Sequence, residues 1–423
     1  MKLVIKNISK AVQIEHTIRK WVAGSDMGKV ETIEDAFIEI EDGRITNFGS
    51  MDQWKGIDDW NNTKIIDADE GMVFPSYNDS HTHLVHAGSR EKEWVQRING
   101  KSYEEIAREG GGILNSAKKL QETSFESLLQ DARKRLTKII RSGTGAIEIK
   151  SGYGLNLESE IKMLKVIDEL KKTSPITIKS TLLAAHAIPL EFKNKKEQYI
   201  HYIINELIPK VAQQKLADYI DVFCEEGYFS VNELKQILEA GKKWGLIPKT
   251  HVNQFTILGG VKTSVDLGAL SVDHLEHMSQ EDIDSLKNSD CMPTFLPSCS
   301  FFLGIPFGPA KQLIHNGLPV ALASDYNPGS SPNWNMNFVA SLGCINMKLN
   351  PEEVINATTI NTAYAMGLSK ELGSIAIGKK ANLFITDNIS SFAYLPYSFG
   401  ENNIKTIILN GEIQNINNED TTN

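Results

Sequence analysis

Between residues 73 and 367 the chain repeats one alternation eight times: a short apolar run, a polar turn, then a helical stretch. The runs lead into "MVFPSYNDSHTH", "GAIEIKSGYG", "ITIKSTLLAAHAIP", "YIDVFCEEG", "LIPKTHVNQF", "LSVDHLEH", "MPTFLPSC" and "PVALASDYNPG". The intervening stretches carry a helical period. In "SFESLLQDARKRLTKIIRSG", Phe125, Leu128, Leu129, Ala132, Leu136, Ile139 and Ile140 share one face. Eight strand–helix units predict an α/β fold of the (β/α)8 TIM-like barrel type. A doubly wound open sheet uses the same alternation, but the count of eight favours the barrel.

The placement of polar residues favours it further. Strand 1 ends in Asp79, His81 and His83, strand 2 in "KSGYG", and strand 3 in His186. Strand 4 ends in Glu225 and Glu226, strand 5 in His251, strand 6 in Asp273 and His274, and strand 8 in Asp325 and Asn327. A barrel gathers all these strand ends at one face, where barrel active sites lie.

The two ends of the chain have a different texture. "KLVIKNI", "AFIEIEDGRITNFG" and "TKIIDADEGMVF" alternate apolar and polar residues, and so do "GSIAIGKKANLFITD" and "IKTIILNGEI" near the C-terminus. The "EDG" at 41 to 43 is a hairpin signal. These pieces predict a small β-sandwich domain built from both termini. The expected division is 1–72 and 368–423 for the sandwich and 73–367 for the barrel.

Composition narrows the function. There are 53 acidic residues against 44 basic ones, a net charge of -9, and no basic block, which argues against nucleic acid as a partner. Four scattered cysteines form no CxxC pair, so free buried thiols are expected rather than disulfides or a cysteine zinc site. No run approaches the roughly 20 apolar residues of a membrane span. The N-terminal stretch lacks the pattern of a signal peptide, and the expected location is the cytoplasm.

On a strand, residues i and i+2 point the same way, so His81 and His83 are expected to project together into the barrel mouth. Two adjacent imidazoles are poor core filler and good ligands for one cation. His251 offers a third nitrogen and Asp325 an oxygen, a set suited to zinc or ferrous iron with a position left for water. A catalytic metal of this kind brings the pKa of its water toward ~7. His86 lies past the strand and is expected in a loop or at the surface, outside the ligand set.

At these residues the sequence resembles the amidohydrolase superfamily, through "DSHTH", His186, His251, His274 and Asp325 in that order and the flanking β segments. A closer resemblance rests on "HTHLVHAGSREKEW", "GGGI", "EIKSGYGL", "AAHAIP", "DVFCEEGYF", "HVNQF", "LGALSVDHLEH", "ALASDYNPGSSP" and "LPYSFGENNI", which together span almost the whole chain. It implies hydrolysis of a ring C–N bond in 4-imidazolone-5-propanoate, giving N-formimino-L-glutamate, in histidine degradation. It implies one divalent ion, zinc or iron, on His81, His83, His251 and Asp325. It implies substrate contacts from Arg90, Tyr153, His186, Gln254, Asn327, Gly329 and Ser330, with His274, Asp325 and His186 at the reacting centre. A small-molecule substrate bearing a carboxylate and a homodimeric assembly also follow from it.

The chemistry of these positions is consistent with that reading. Arg90 offers a planar fork matched to a carboxylate. "NPGSSP" is a tight turn that lets backbone and hydroxyl groups approach a ligand. Gln254 bonds a substrate but cannot serve as a base. "GGGI" (110–113) precedes a helix and reads as a cover; it lacks the GK[ST] of a phosphate loop. Lys150 ends strand 2, whereas binuclear relatives carry a bridging lysine at strand 4. A single metal is therefore expected, with Glu225 or Glu226 as the alternative bridge to a second. The rival readings are a mononuclear nucleobase aminohydrolase, a binuclear cyclic amidase and an inactive barrel used for binding. Arg90 and Tyr153 disfavour the first, the strand-4 residues the second, and the filled ligand positions the third.

Overall fold

The computed structural model describes residues 2–101, 105 and 111–414. Two eight-stranded sheets organise it. The first runs in the order β16-β15-β14-β5-β1-β2-β3, with β4 paired to β1. Its members are β1 (Lys2–Val12), β2 (Thr32–Glu41), β3 (Arg44–Ser50), β4 (Thr63–Asp67), β5 (Met72–Pro75), β14 (Leu383–Thr386), β15 (Ile404–Leu409) and β16 (Glu412–Gln414). The second is parallel, in the order β13 back to β6. It comprises β6 (Tyr77–Thr82), β7 (Thr144–Lys150), β8 (Thr177–Ala185), β9 (Tyr219–Cys224), β10 (Ile247–Val252), β11 (Ser271–His274), β12 (Met292–Phe295) and β13 (Ala321–Leu322).

The parallel sheet closes at the seam between its first and last strands. Thr82 pairs with Tyr326, Asp325 N donates to His81 O at 3.0 Å, and His83 N donates to Tyr326 O at 2.8 Å. The barrel and the terminal sheet are as the alternation predicts. Helices cover the barrel outside. Phe125–Arg141 buries Leu128, Ala132, Leu136 and Ile139, and its Ser124 N-cap accepts from Ser127 N.

The terminal sheet buries Leu3, Ile5, Ile8, Ile38, Ile40, Val73, Leu383, Ile385 and Ile408 on one apolar core. Its hairpin turns at Asp42 and Gly43, with φ of 49° and 79°. Both central residues of a tight type I′ turn need positive φ, which is why "DG" marks it.

One segment differs from the sequence reading. "MVFPSYNDSHTH" is not one strand: β5 joins the terminal sheet and β6 the barrel, with Ser76 between them. Pro75 cannot donate to a ladder, so the run divides where the chain changes sheets. After the last barrel strand the chain forms two short helices, Pro351–Thr358 and Ile360–Ala365, divided at Thr359. The Thr359 carbonyl accepts from Asn78 Nδ2 and from Ala363 N, each at 2.9 Å. Of "GGGI", expected to be a cover, Gly110 lies outside the described residues; Gly112 is the N-cap of Ile113–Glu122. All four cysteines are free thiols. Among the described residues no helix is long and apolar enough to cross a membrane.

Candidate metal centre and substrate cavity

The seam that closes the barrel also assembles the donors. Because Asp325 N binds His81 O and His83 N binds Tyr326 O, both ends of the chain's barrel segment meet at this point. His81 Nε2 and His83 Nε2 lie 3.5 and 3.6 Å from Asp325 Oδ1. His251 stands beside them, its ring centroid 4.4 Å from that of His81. Donor atoms of His81, His83 and Asp325 all lie within 4.8 Å of one another, and so do those of His81, His251 and His274. His274 stands farther out than His251, its ring centroid 5.7 Å from that of His81 and 5.3 Å from that of His251. The backbone is strained here: φ is 87° at His274 and 53° at Asp325. Non-glycine residues in this region are characteristic of functional sites.

Carboxylates behind the imidazoles fix their orientation. His81 Nδ1 lies 2.7 Å from Asp273 Oδ2. His251 N donates to Asp221 Oδ1 at 3.1 Å, and His251 Nδ1 is 2.9 Å from Asp221 Oδ2, off the N–H axis. This leaves Nε2 of both rings buried and without a hydrogen-bond partner. Such orphaned nitrogens are costly unless something binds them. Three imidazoles, a carboxylate and orphaned nitrogens fit a divalent ion, and carboxylate–histidine pairs are the usual support for one.

One buried ammonium links the two supports. Lys150 Nζ lies 2.6 Å from Glu148 Oε1, 2.8 Å from Asp221 Oδ2 and 3.7 Å from Asp273 Oδ2, all fully buried. Lys249 pairs with Glu148 Oε2 and donates to Ser80 O and Ala365 O, each at 3.1 Å. The sequence reading names Lys150 and Asp273 only as strand ends and gives no role to Glu148, Asp221 or Lys249. A charge inside an otherwise apolar strand, as in "YIDVF" or "GAIEIK", is the signal that marks them.

Electrostatics set the imidazoles apart. Burial, then the neighbouring Lys150 and imidazole charges, pulls His81 well below the ordinary histidine range. Burial, then His186 and His251, does the same to His83. Both shifts favour the neutral form that ligation requires. Burial brings His186 down to about 3. His274 goes the other way. Burial works against its charged form, but Glu276, Asp325 and Asp273 together outweigh it. Burial raises Asp325 against the pull of His274 and His251. Asp79 is pushed up to about 7 by burial, opposed by Ser324; it accepts from Ser324 Oγ at 2.5 Å and so braces the strand-8 end.

A cavity of about 460 Å³ opens over this cluster. Arg90, Tyr153, His186, His251, Gln254, His274, Asp325, Asn327, Gly329 and Ser330 all line it. Arg90 is held by Glu93 Oε2, 2.7 Å from Nε. Its guanidinium lies against Gly329, where an added Cβ would stand 2.1 Å from Nη1. Only glycine lets the arginine sit there. Asn327 spends its amide on its own loop. It donates to Asp325 O at 2.7 Å and accepts from Gly329 N and Ser330 N at 2.8 and 2.7 Å. It shapes the turn that presents the glycine.

His86 lies in a loop, as expected, and is buried there, its Nδ1 3.0 Å from His83 O and its ring packed on Tyr326 at the seam. One alternative is corrected. Glu225 is not free to bridge a second ion: its carboxylate accepts from Phe255 N at 2.9 Å and from Thr256 Oγ1.

Residues 72–414 match the model of the amidohydrolase family. An imidazolonepropionase of Flavobacterium johnsoniae is 54% identical over 413 residues, covering 98% of this chain and 100% of that protein. One from Christiangramia forsetii is 52% identical over 414 residues, with the same coverage. The chain belongs to the imidazolonepropionase family, within the amidohydrolases. Amidohydrolases are metal-dependent, and this member has a His/Asp cluster that could bind a metal ion. A zinc-bound adenosine deaminase from Xanthomonas campestris shares the fold at a TM-score of 0.70 and 14% identity, over 97% of this chain and 92% of that one.

Proposed function

We propose that this protein hydrolyses 4-imidazolone-5-propanoate to N-formimino-L-glutamate, the ring-opening step of histidine degradation. The observation that carries the reading is one 460 Å³ cavity with a His/Asp donor cluster at its floor and Arg90 in its wall. Membership of the imidazolonepropionase family supports the substrate. A flat nucleobase, the rival substrate, has no carboxylate to meet Arg90.

His81, His83, His251 and Asp325 would hold one divalent ion, zinc or iron. When bound, such an ion supplies Lewis acidity to water and to the ring carbonyl. The chain's own residues do the rest. Arg90 grips the propionate, a charge-assisted pairing that sets the ring's position. Tyr153, His186 and Gln254 face the ring and hold its edge, and burial keeps His186 neutral, so one of its nitrogens donates and the other accepts. His274 takes the proton from the attacking water, since the carboxylates around it favour its protonated form. Glu276 fixes that ring from behind, 3.4 Å from Nδ1. The water oxygen bonds to the ring carbonyl carbon, the C–N bond breaks, and the proton returns to the leaving nitrogen. We also take the family's expected homodimer as part of this reading, which light scattering tests.

The direct test incubates the purified protein with freshly made 4-imidazolone-5-propanoate and follows loss of the ring's ultraviolet absorbance. Wild type should open the ring, and His81→Ala and chelator-treated protein should not. An intact ring with metal-loaded wild type sinks the substrate assignment and leaves the cluster standing.

A further inference from the structure

The proposed proton acceptor also belongs to a second set of donors, apart from the first cluster. His274, Glu276 and Cys299 are all buried, and one donor atom of each lies within 4.8 Å of the others. Glu276 Oε1 is 3.4 Å from His274 Nδ1 and accepts from Ser300 Oγ at 3.2 Å. Glu276 Oε2 is buried without a hydrogen-bond partner, on a side chain only 2% exposed. The Cys299 sulfur is fully buried and accepts from Gln254 Nε2 at 3.4 Å. An orphaned carboxylate oxygen beside a thiol and an imidazole is a set of donors with coordinating capacity to spare.

We propose that His274 Nδ1, a Glu276 oxygen and the Cys299 sulfur form a second, inhibitory site for a zinc-class divalent ion. Imidazole, carboxylate and thiolate are a zinc donor set, and three protein ligands leave a fourth position for water. Cys299 ligates as thiolate, so the incoming ion displaces one proton from the sulfur to solvent, with no change of oxidation state. Asp325 and Asp273, which already act on His274, offset the repulsion between two neighbouring dications. Ligation at Nδ1 leaves the ring's one proton on Nε2. His274 then has no free nitrogen with which to take a proton from water. The ligation stands by itself, while the inhibition rests on the role given to His274 above.

The two sites differ in one spectroscopic respect: the first contains no sulfur. The full chain, stripped of metal, is titrated with cobalt(II) as a zinc stand-in. The expected result is a near-ultraviolet thiolate-to-cobalt charge-transfer band, present by the second equivalent. Cys299→Ser should abolish that band while still taking up one equivalent, and Glu276→Gln should need at least about tenfold more cobalt to reach it. Wild-type protein loaded with one equivalent of zinc should then lose turnover of 4-imidazolone-5-propanoate as zinc exceeds that equivalent. Absence of the band at saturating cobalt overturns the site, as does a band that survives Cys299→Ser. A normal band with turnover indifferent to excess zinc overturns the inhibition. If no metal gives turnover, the proposed function has failed, and the cobalt spectrum of wild type still decides the ligation.

Discussion

The interiors of the two sheets are opposites. The terminal sheet packs Leu3, Ile5, Ile8, Ile38 and Ile385 into an apolar core. The barrel axis carries Glu148, Lys150, Asp221, Lys249 and Asp273, all buried and mutually paired. Apolar burial is non-directional and needs only volume and pattern. Paired buried charges are costly to desolvate and add little net stability, but they fix geometry. The terminal sheet is built for stability, and the barrel axis spends stability to hold two imidazoles in place.

That contrast can be broken at several points. The largest effect is expected at the donor cluster: His81→Ala should lower turnover by about a thousandfold or more, with loss of bound metal by elemental analysis. Lys150→Met comes next. It strands the carboxylates of Glu148, Asp221 and Asp273, and should cost about 3–5 kcal/mol in urea denaturation. A loss below about 1 kcal/mol would mean that the barrel axis tolerates charge removal as the apolar core would, and the contrast would fail. Asp221→Asn should separate geometry from stability: metal affinity, measured by chelator competition, should fall about 10–100-fold. In the apolar core, Ile8→Val should cost only about 0.5–1.5 kcal/mol and leave metal affinity unchanged.

The smallest effect is expected outside both interiors, at the start of β9. Asp218 accepts from Lys171 at 2.8 Å and from Ser180 N at 2.9 Å. Burial opposes its charge, but Lys171, Ser180 N and Lys179 prevail and hold its pKa below the ordinary aspartate value of 3.8. A depressed folded pKa contributes stability above the unfolded pKa that is lost as pH falls through the folded one. Asp218→Asn should therefore cost about 0.5–1 kcal/mol near neutral pH. The difference from wild type should shrink below pH 3.8, by thermal melts at stepped pH. A gap that widens on acidification contradicts the sign.

Much of this was legible before any coordinates. Period-2 and period-3.6 patterns named the strands and the covering helices, and "DG" at 42 and 43 named its turn, because each rests on neighbours within a few residues. His81 and His83 were legible as a pair for the same reason, since alternation along one strand puts them on one side. The break in "MVFPSYNDSHTH" was not legible, since an apolar run does not say which sheet each half will join. Nor was the burial of His86, which depends on Tyr326 arriving from the far end of the barrel.

By itself the sequence determined the eight strand–helix units, the β-rich ends and the histidines and carboxylates at the strand ends. Only the tertiary structure decided which carboxylate stands behind which imidazole. Asp273 reaches His81 across 192 residues of chain, and Lys150 reaches Asp221 across 71. Partners that far apart are set by barrel closure and strand register. No local pattern encodes those, because the contacts come into being only when the last strand end meets the first.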